Sequence, residues 1–513
     1  MYLKQTKRNG RIYLSVMQNY RSQGKVHAKT IEHIGYADEF ADQYPDPVAH
    51  FKAYVADLNE QAKSQSAPVH LTIPRNALIG AESEGSIQLG AAITLGYLDA
   101  LGLGRFFNAC AKHDRRTASA RVDEELGRAV ELLASARMLH AVPVHETWSA
   151  RAKFPRACTM EVADAYRGFE QIAENDTALV RMLNDRYETI HGKRHLDNVR
   201  LVFSNYIVPW PGDSSTRGPD ELEERTSTRL CLVIDQEGIP LTYRIVPRRM
   251  SAQSTLNLID QLKTETGARH VTVVAAQLSE AAKVVPQLAA RNDGFVLLMH
   301  ASETTTDQYR WAADESDYRF TRNQTYRIKS RRADFAIPDR HNPAAGQDAR
   351  TGHMVKVKEI ALRSMRANAS QTFFIVSNET TASNAAIFNI YRELWRVHEP
   401  FQVISADFIA PPYPVDTQVH LRAHFAICYA AFFALRMLRQ DMDWLWNAAQ
   451  VADALVHMEG AYLDENWYLF NYRSTVSDDI QRTVGIDAGR RLLNRADIRG
   501  VIAHARKRAE HFS

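Results

Sequence analysis

The sequence predicts a mixed α/β protein, because its hydrophobic rhythm changes three times. Residues 2–34 alternate apolar and polar positions as strands do, and residues 46–194 carry apolar stripes at helical spacing. From Val199 the pattern returns to short apolar strands interrupted by a helix. At 513 residues the chain is too long for one hydrophobic core, and its length suggests about three or four domains.

Taken in order, the first 34 residues read as three strands, YLKQTKR, RIYLSVMQNY and KVHAKTIEHI. Asn9-Gly10 lies at the first turn, where a tight hairpin needs positive φ, and Ser22-Gln23-Gly24 forms the second. The segment carries Lys4, Lys7, Arg8, Arg11, Arg21, Lys25 and Lys29 against the single acid Glu32, a density suited to phosphate contacts. Composition alone does not separate a DNA-facing sheet from a solvated one whose lysines guard its edges. From Asp46 the stretches DPVAHFKAYVADLNEQAK, AAITLGYLDALGLGRFF, VDEELGRAVELLASARMLHA and VADAYRGFEQIAENDTALVRMLNDRYETI read as helices, with residues 68–86 as a linker or a passing strand.

Beyond Val199 come VRLVFSNYIV, then TRLCLVIDQEGIPLTYRIVP with a turn at Gln236-Glu237-Gly238, a helix over residues 251–264 capped by Ser251, and the buried strand HVTVVAA. Arg248 and Arg249 close the second of these stretches as further candidate DNA contacts. Residues 295–384 form a β-rich region containing YRFTRNQTYRIKSRR, whose Arg319, Arg322, Arg327, Lys329, Arg331 and Arg332 run without an acid and are interleaved with Tyr318, Phe320 and Tyr326. Such a hairpin suits a DNA backbone with stacked bases, and equally a solvated edge. FFIVSN reads as the strand before a helix in which Ile387, Tyr391, Leu394, His398 and Phe401 share one face.

The rest of the composition is that of an ordinary globular protein, with 45% hydrophobic and 24% charged residues and a net charge of +3. Cys110, Cys158, Cys231 and Cys428 form no CxxC pair, so neither a zinc site nor a disulfide framework is expected, and a reducing cytoplasm is. The opening MYLKQTKRNG has no apolar signal segment. The apolar run at residues 425–435, bracketed by Arg422 and Arg436, is short for a bilayer and reads as a buried helix, so no membrane is expected.

The stretch YRELWRVHEPFQVISAD, residues 391–407, resembles the signature helix of DDE transposases of the insertion-sequence-four superfamily. Tyr391, Arg392, Trp395 and Phe401 fall where that pattern has them, but His398 stands at the glutamate position and Ser405 at the lysine position. The GRIYLS hairpin, the HIGY strand end and the closing segment from NWYLFNY are also similar to the family. Matching Asn205-Tyr206 places Val202 at the first catalytic aspartate, and matching Val273-Val274-Ala275 places Ala276 at the second, with Gln277 and Leu278 after it.

The resemblance implies a ribonuclease-H-like core, residues 196–294 and 370–440, with a β-rich insertion at 295–369. A basic β module at 1–45 and a helical DNA-binding domain at 46–195 would precede it, and a helical region at 441–513 would follow. It implies double-stranded DNA as partner, leaves room for a homodimer, and implies a cytoplasmic, nucleoid-associated protein. The family uses two magnesium ions held by carboxylates; Val202 and Ala276 offer no side-chain oxygen and His398 offers a nitrogen, so no metal cofactor and no catalysis are expected. Binding to element ends or a repurposed regulatory role follows. The alternative is an active transposase with displaced carboxylates, drawn from Asp197, Asp213, Glu280 and Glu399.

Overall fold

The computed structural model describes residues 1–8, 10–22, 25–41, 43–66, 85–113, 120–156, 158–207, 227–247, 250–275, 284–299, 304–320, 326–336, 354–364, 372–398, 401–403, 407–408, 415–463, 466–487 and 489–511. The chain divides into two compact units, Met1–Ile79 and Gly80–Ser513.

The first unit is a β-meander closed by a helix. Strands β1 (Tyr2–Arg8), β2 (Arg11–Ser22) and β3 (Lys25–Tyr36) pair antiparallel in that order. Gly10 turns the first hairpin at φ 79°, a conformation that glycine adopts without Cβ strain. Asn9, Gln23 and Gly24 lie outside the described residues. A short 3-10 turn at Ala37–Phe40 leads to α1 (Pro47–Ser66), which packs on β1. The expected boundary near residue 45 is therefore displaced: α1, with Val55 buried, belongs to this unit.

The second unit opens with β4 (Ser86–Gln88), α2 (Leu89–Leu101), α3 (Leu103–His113), α4 (Ala120–Leu139) and α5 (Val144–Ser149). Next come α6 (Val162–Arg167), α7 (Phe169–Glu174) and α8 (Asp176–His191). The stretch from Ala91 to Phe107 is two helices because Gly102 takes φ 77° and ends the first.

Then follow β5 (Asn198–Ile207), β6 (Ser227–Ile234), β7 (Pro240–Pro247), α9 (Ala252–Thr266), β8 (His270–Ala275), α10 (Val285–Ala290), β9 (Gly294–Met299) and α11 (Thr306–Ala313). Ser251 caps α9, its hydroxyl accepting from the Ser254 N–H at 3.0 Å. The strands β10 (Arg319–Phe320), β11 (Tyr326–Ala336), β12 (Met354–Ser364) and β13 (Thr372–Ser377) precede α12 (Asn384–His398) and the long α13 (Thr417–Asp441). The chain finishes with α14 (Ala448–His457), β14 (Glu459–Tyr462), β15 (Trp467–Phe470), α15 (Thr475–Val484), β16 (Leu492–Asn494) and α16 (Arg495–Glu510).

Nine of these strands form one mixed sheet, in the order β10-β11-β12-β13-β9-β8-β5-β6-β7. β5, β8 and β9 run parallel, and all other neighbours pair antiparallel. Both faces are covered, so successive residues of one strand enter different cores. Leu201 and Phe203 pack beside Ile259 and Leu262 of α9, while Val202 and Tyr206 belong to the core of α12 and α13.

Two expectations change here. Residues 295–299 are a central strand between β8 and β13, and β10 to β12 extend that same sheet as a continuous edge. The tail from residue 441, expected helical, contributes β14 to β16, which join β4 in a four-stranded sheet, with Tyr468 and Phe470 of β15 buried and Trp467 and Leu469 less so. Helix α13 is long and apolar enough to cross a membrane, but 94% of its apolar window is buried inside the protein.

Candidate nucleic-acid interface

In the first unit, alternation of side chains separates two faces. Leu3 pairs with Val16 and Val16 with Glu32, and Gln5 pairs with Leu14 and Leu14 with Gly35. The 3-10 turn and α1 lie on this face: the Phe40 ring is 3.5 Å from where a Gly35 Cβ would stand, and the Tyr54 hydroxyl donates to Glu32 at 3.1 Å. The opposite face sets Lys4, Ser15 and His33 across the three strands, with Thr6, Tyr13 and Tyr36 in the next row. Lys4, Lys7, Lys29 and His33 are exposed. Arg11 is also exposed, but it is held by Asp38 at 2.6 Å and Glu39 at 3.0 Å and lies over the Tyr36 ring. Its carboxylate partner Asp38 is held below its ordinary pKa by that hydrogen bond. The side chains of Arg8, Arg21 and Lys25 lie outside the described part.

The basic run around β11 is placed differently. Arg327, Lys329 and Arg331 point, at strand period, to one face, where α11 and the turn after it supply acceptors. Arg327 pairs with Glu315 at 2.8 Å, and Arg331 pairs with Glu359 at 2.6 Å and Asp307 at 2.7 Å. Lys329 is buried; its ammonium donates to the Asp314 carbonyl at 2.6 Å and sits 4.8 Å from the Tyr318 ring centre and 5.1 Å from that of Trp311. The run itself carries no acid; its acids come from elsewhere in the chain. Arg319 and Arg332 are exposed. Arg248, Arg249 and Arg322 lie outside the described residues.

Of the positions matched to a catalytic triad, Val202 sits mid-strand in β5, opposite Val274 of β8 and Leu232 of β6, fully buried among apolar side chains. Helix α12 crosses the same face, packing on β5, β8 and β9 and burying Ile387, Phe388 and Tyr391. Ala276 lies outside the described residues, one position beyond the end of β8. His398 ends α12, and its side chain, like those of Arg392 and Trp395, lies outside the described part. Val202 in this apolar setting does not fit a hard cation that needs several oxygen ligands. Among the described residues, no group of three or more His, Cys, Asp or Glu is placed to hold a metal ion.

Asp197 is five residues before Val202, about 16 Å away along the strand, with its own partner Arg269 at 3.7 Å. Asp213, Glu280, Glu399, Pro400 and Ser405 lie outside the described residues.

Sequence reasoning missed two groups. Asp307, Asp314 and Glu315 were legible in TDQYRWAADESDY, an acidic stretch immediately before the basic one. Asp407 is a buried carboxylate that accepts from the Val144 N–H at 2.7 Å and faces Arg137 at 3.7 Å, and burial raises its pKa. It ties the segment after α12 to the start of α5, a structural duty that nothing in its own neighbourhood announces.

Residues 3–69 match the family model described as IS1634 family transposase, N-terminal domain. No curated protein matches the chain. The match covers the three strands and α1, so over its first unit this chain is similar to the N-terminal domain of an insertion-sequence transposase.

Proposed function

We propose that this is a transposase-related, DNA-binding protein of the insertion-sequence-four type whose catalytic acids have been replaced. It binds duplex DNA, at the ends of a related element or as a repurposed regulator, and so associates with the nucleoid. The observation that carries the reading is the setting of Val202. An antiparallel meander, a crossover helix and parallel strands, as in β5-β6-β7-α9-β8-β9, is the arrangement expected of a ribonuclease-H-like core. A family aspartate would stand at the centre of that core, where this chain has a fully buried valine. The similarity of residues 3–69 to a transposase N-terminal domain supports the family, and the exposed lysines of that unit support the partner.

The test incubates full-length protein with labelled duplex DNA and magnesium or manganese. Salt-sensitive binding without strand cleavage is expected. Cleavage that disappears in Glu280→Ala or Glu399→Ala would replace this reading with an active transposase using displaced carboxylates. Absence of salt-sensitive binding would remove DNA as the partner.

A further inference from the structure

We infer that the first unit meets duplex DNA through the open face of its three-stranded sheet, laid in the major groove, with Lys4 and His33 directed at base edges. This rests on the DNA-binding reading and adds the face, the groove and the residues. Three observations carry it.

The first is which face the described residues of this unit leave uncovered. The helix and the 3-10 turn occupy the side of Leu14, Val16 and Gly35, while the row Lys4, Ser15 and His33 stands on the other, its outer members Lys4 and His33 exposed and Ser15 buried between them. The second is charge. Glu32, the only acid in the three strands, is turned to the helix side and bonded by Tyr54, so the described strand residues put no carboxylate on the open face, and the neighbouring Asp38 and Glu39 of the 3-10 turn are both held by Arg11. A sheet with one neutral-to-basic face is complementary to a groove flanked by phosphates. The third is size. The outer strand axes, two spacings of about 4.8 Å apart, are already roughly 10 Å from one another, which excludes the minor groove, about 6 Å wide, and leaves the major groove, about 12 Å wide, to take the sheet.

The chemistry of the face suits base edges. A lysine ammonium donates to guanine O6 and N7, and an imidazole donates or accepts. The aromatic rings beside it are poor platforms for unpaired bases. Tyr36 packs edge-on against Tyr13, with ring centres 5.1 Å apart, and the Arg11 guanidinium lies 4.0 Å above the Tyr36 ring. That arrangement favours a duplex over a single strand, which would need open ring faces.

The experiment lets the full-length protein select duplexes from a random pool, then methylates the selected DNA with dimethyl sulfate and compares bound with free fractions. Methylation at guanine N7, in the major groove, is expected to exclude molecules from the bound fraction, and netropsin, a minor-groove ligand, is expected not to compete. Lys4→Ala and His33→Ala, with circular dichroism matching the parent, should each weaken binding to the selected duplex about tenfold, with a smaller effect on unselected DNA. Salt-sensitive binding that netropsin displaces, that ignores N7 methylation, or that both variants retain in full would overturn the groove assignment and leave DNA binding standing. Preference for the single strand would overturn it too. If no duplex is bound at all, both readings fall together.

Discussion

Two stretches of this chain look alike in sequence, the β1–β3 sheet and the hairpin around β11, since each is rich in Lys and Arg interleaved with Tyr. In the first, the lone Glu32 is drawn to the covered side, and Lys4, Lys7 and Lys29 project into solvent. In the second, Arg327, Lys329 and Arg331 are held by Glu315, the Asp314 carbonyl, Glu359 and Asp307 and by the rings of Tyr318 and Trp311. The same composition serves an outward-facing surface in one place and the internal cohesion of a sheet edge in the other. What separates them is where the acids fold to, and charge counted along a window does not contain that.

The contrast breaks most visibly at Glu359. Its carboxylate is buried and serves both Arg331 and Gln308, which donates to it at 2.6 Å, so Glu359→Ala leaves the buried Gln308 amide without its acceptor and Arg331 with Asp307 alone. We expect a loss of about 3 kcal/mol in denaturant unfolding of the second unit, with DNA affinity per folded molecule unchanged. Lys329→Ala comes next. It removes an ammonium stacked between Trp311 and Tyr318 and one hydrogen bond, for about 2 kcal/mol by the same measurement.

A smaller effect is pH dependent and belongs to the same large sheet. His270 Nε2 lies 2.9 Å from Glu379, and that hydrogen bond raises the histidine pKa while lowering that of Glu379. A raised histidine pKa contributes stability that is fully present below the unfolded value of about 6.5 and is lost as pH rises through the folded value. The pair is partly exposed, so its contribution stays below about 1 kcal/mol. Unfolding midpoints followed across that window should fall for the parent and flatten in Glu379→Gln; an identical slope in both would remove the pair from the pH response.

How much of this was legible in the sequence varies with the range of the interaction. The three N-terminal strands, the positive φ at Gly10 and the Ser251 cap depend on neighbours a few residues apart, and periodicity and turn chemistry capture them. The union of β10 to β12 with the central sheet, and of β4 with β14, joins segments far apart in the chain, where no local rhythm specifies the partner. The site divides in the same way. Val202 as a buried strand position follows from VRLVFSNYIV, whereas the neutralisation of the β11 cations needed the packing of α11, although DESDY stood next to them in the text.

The claim that the first unit carries the DNA surface is tested most directly by salt. Affinity of the full-length protein for duplex DNA, measured by fluorescence anisotropy over a range of KCl, gives a log-log slope set by the phosphates neutralised. Lys4→Ala, Lys7→Ala and Lys29→Ala combined should leave the thermal midpoint of the protein nearly unchanged and make that slope shallower, whereas Arg327→Gln should leave it as in the parent. An unaltered slope in the triple variant, or a shallower one in a folded Arg327→Gln, would contradict the account.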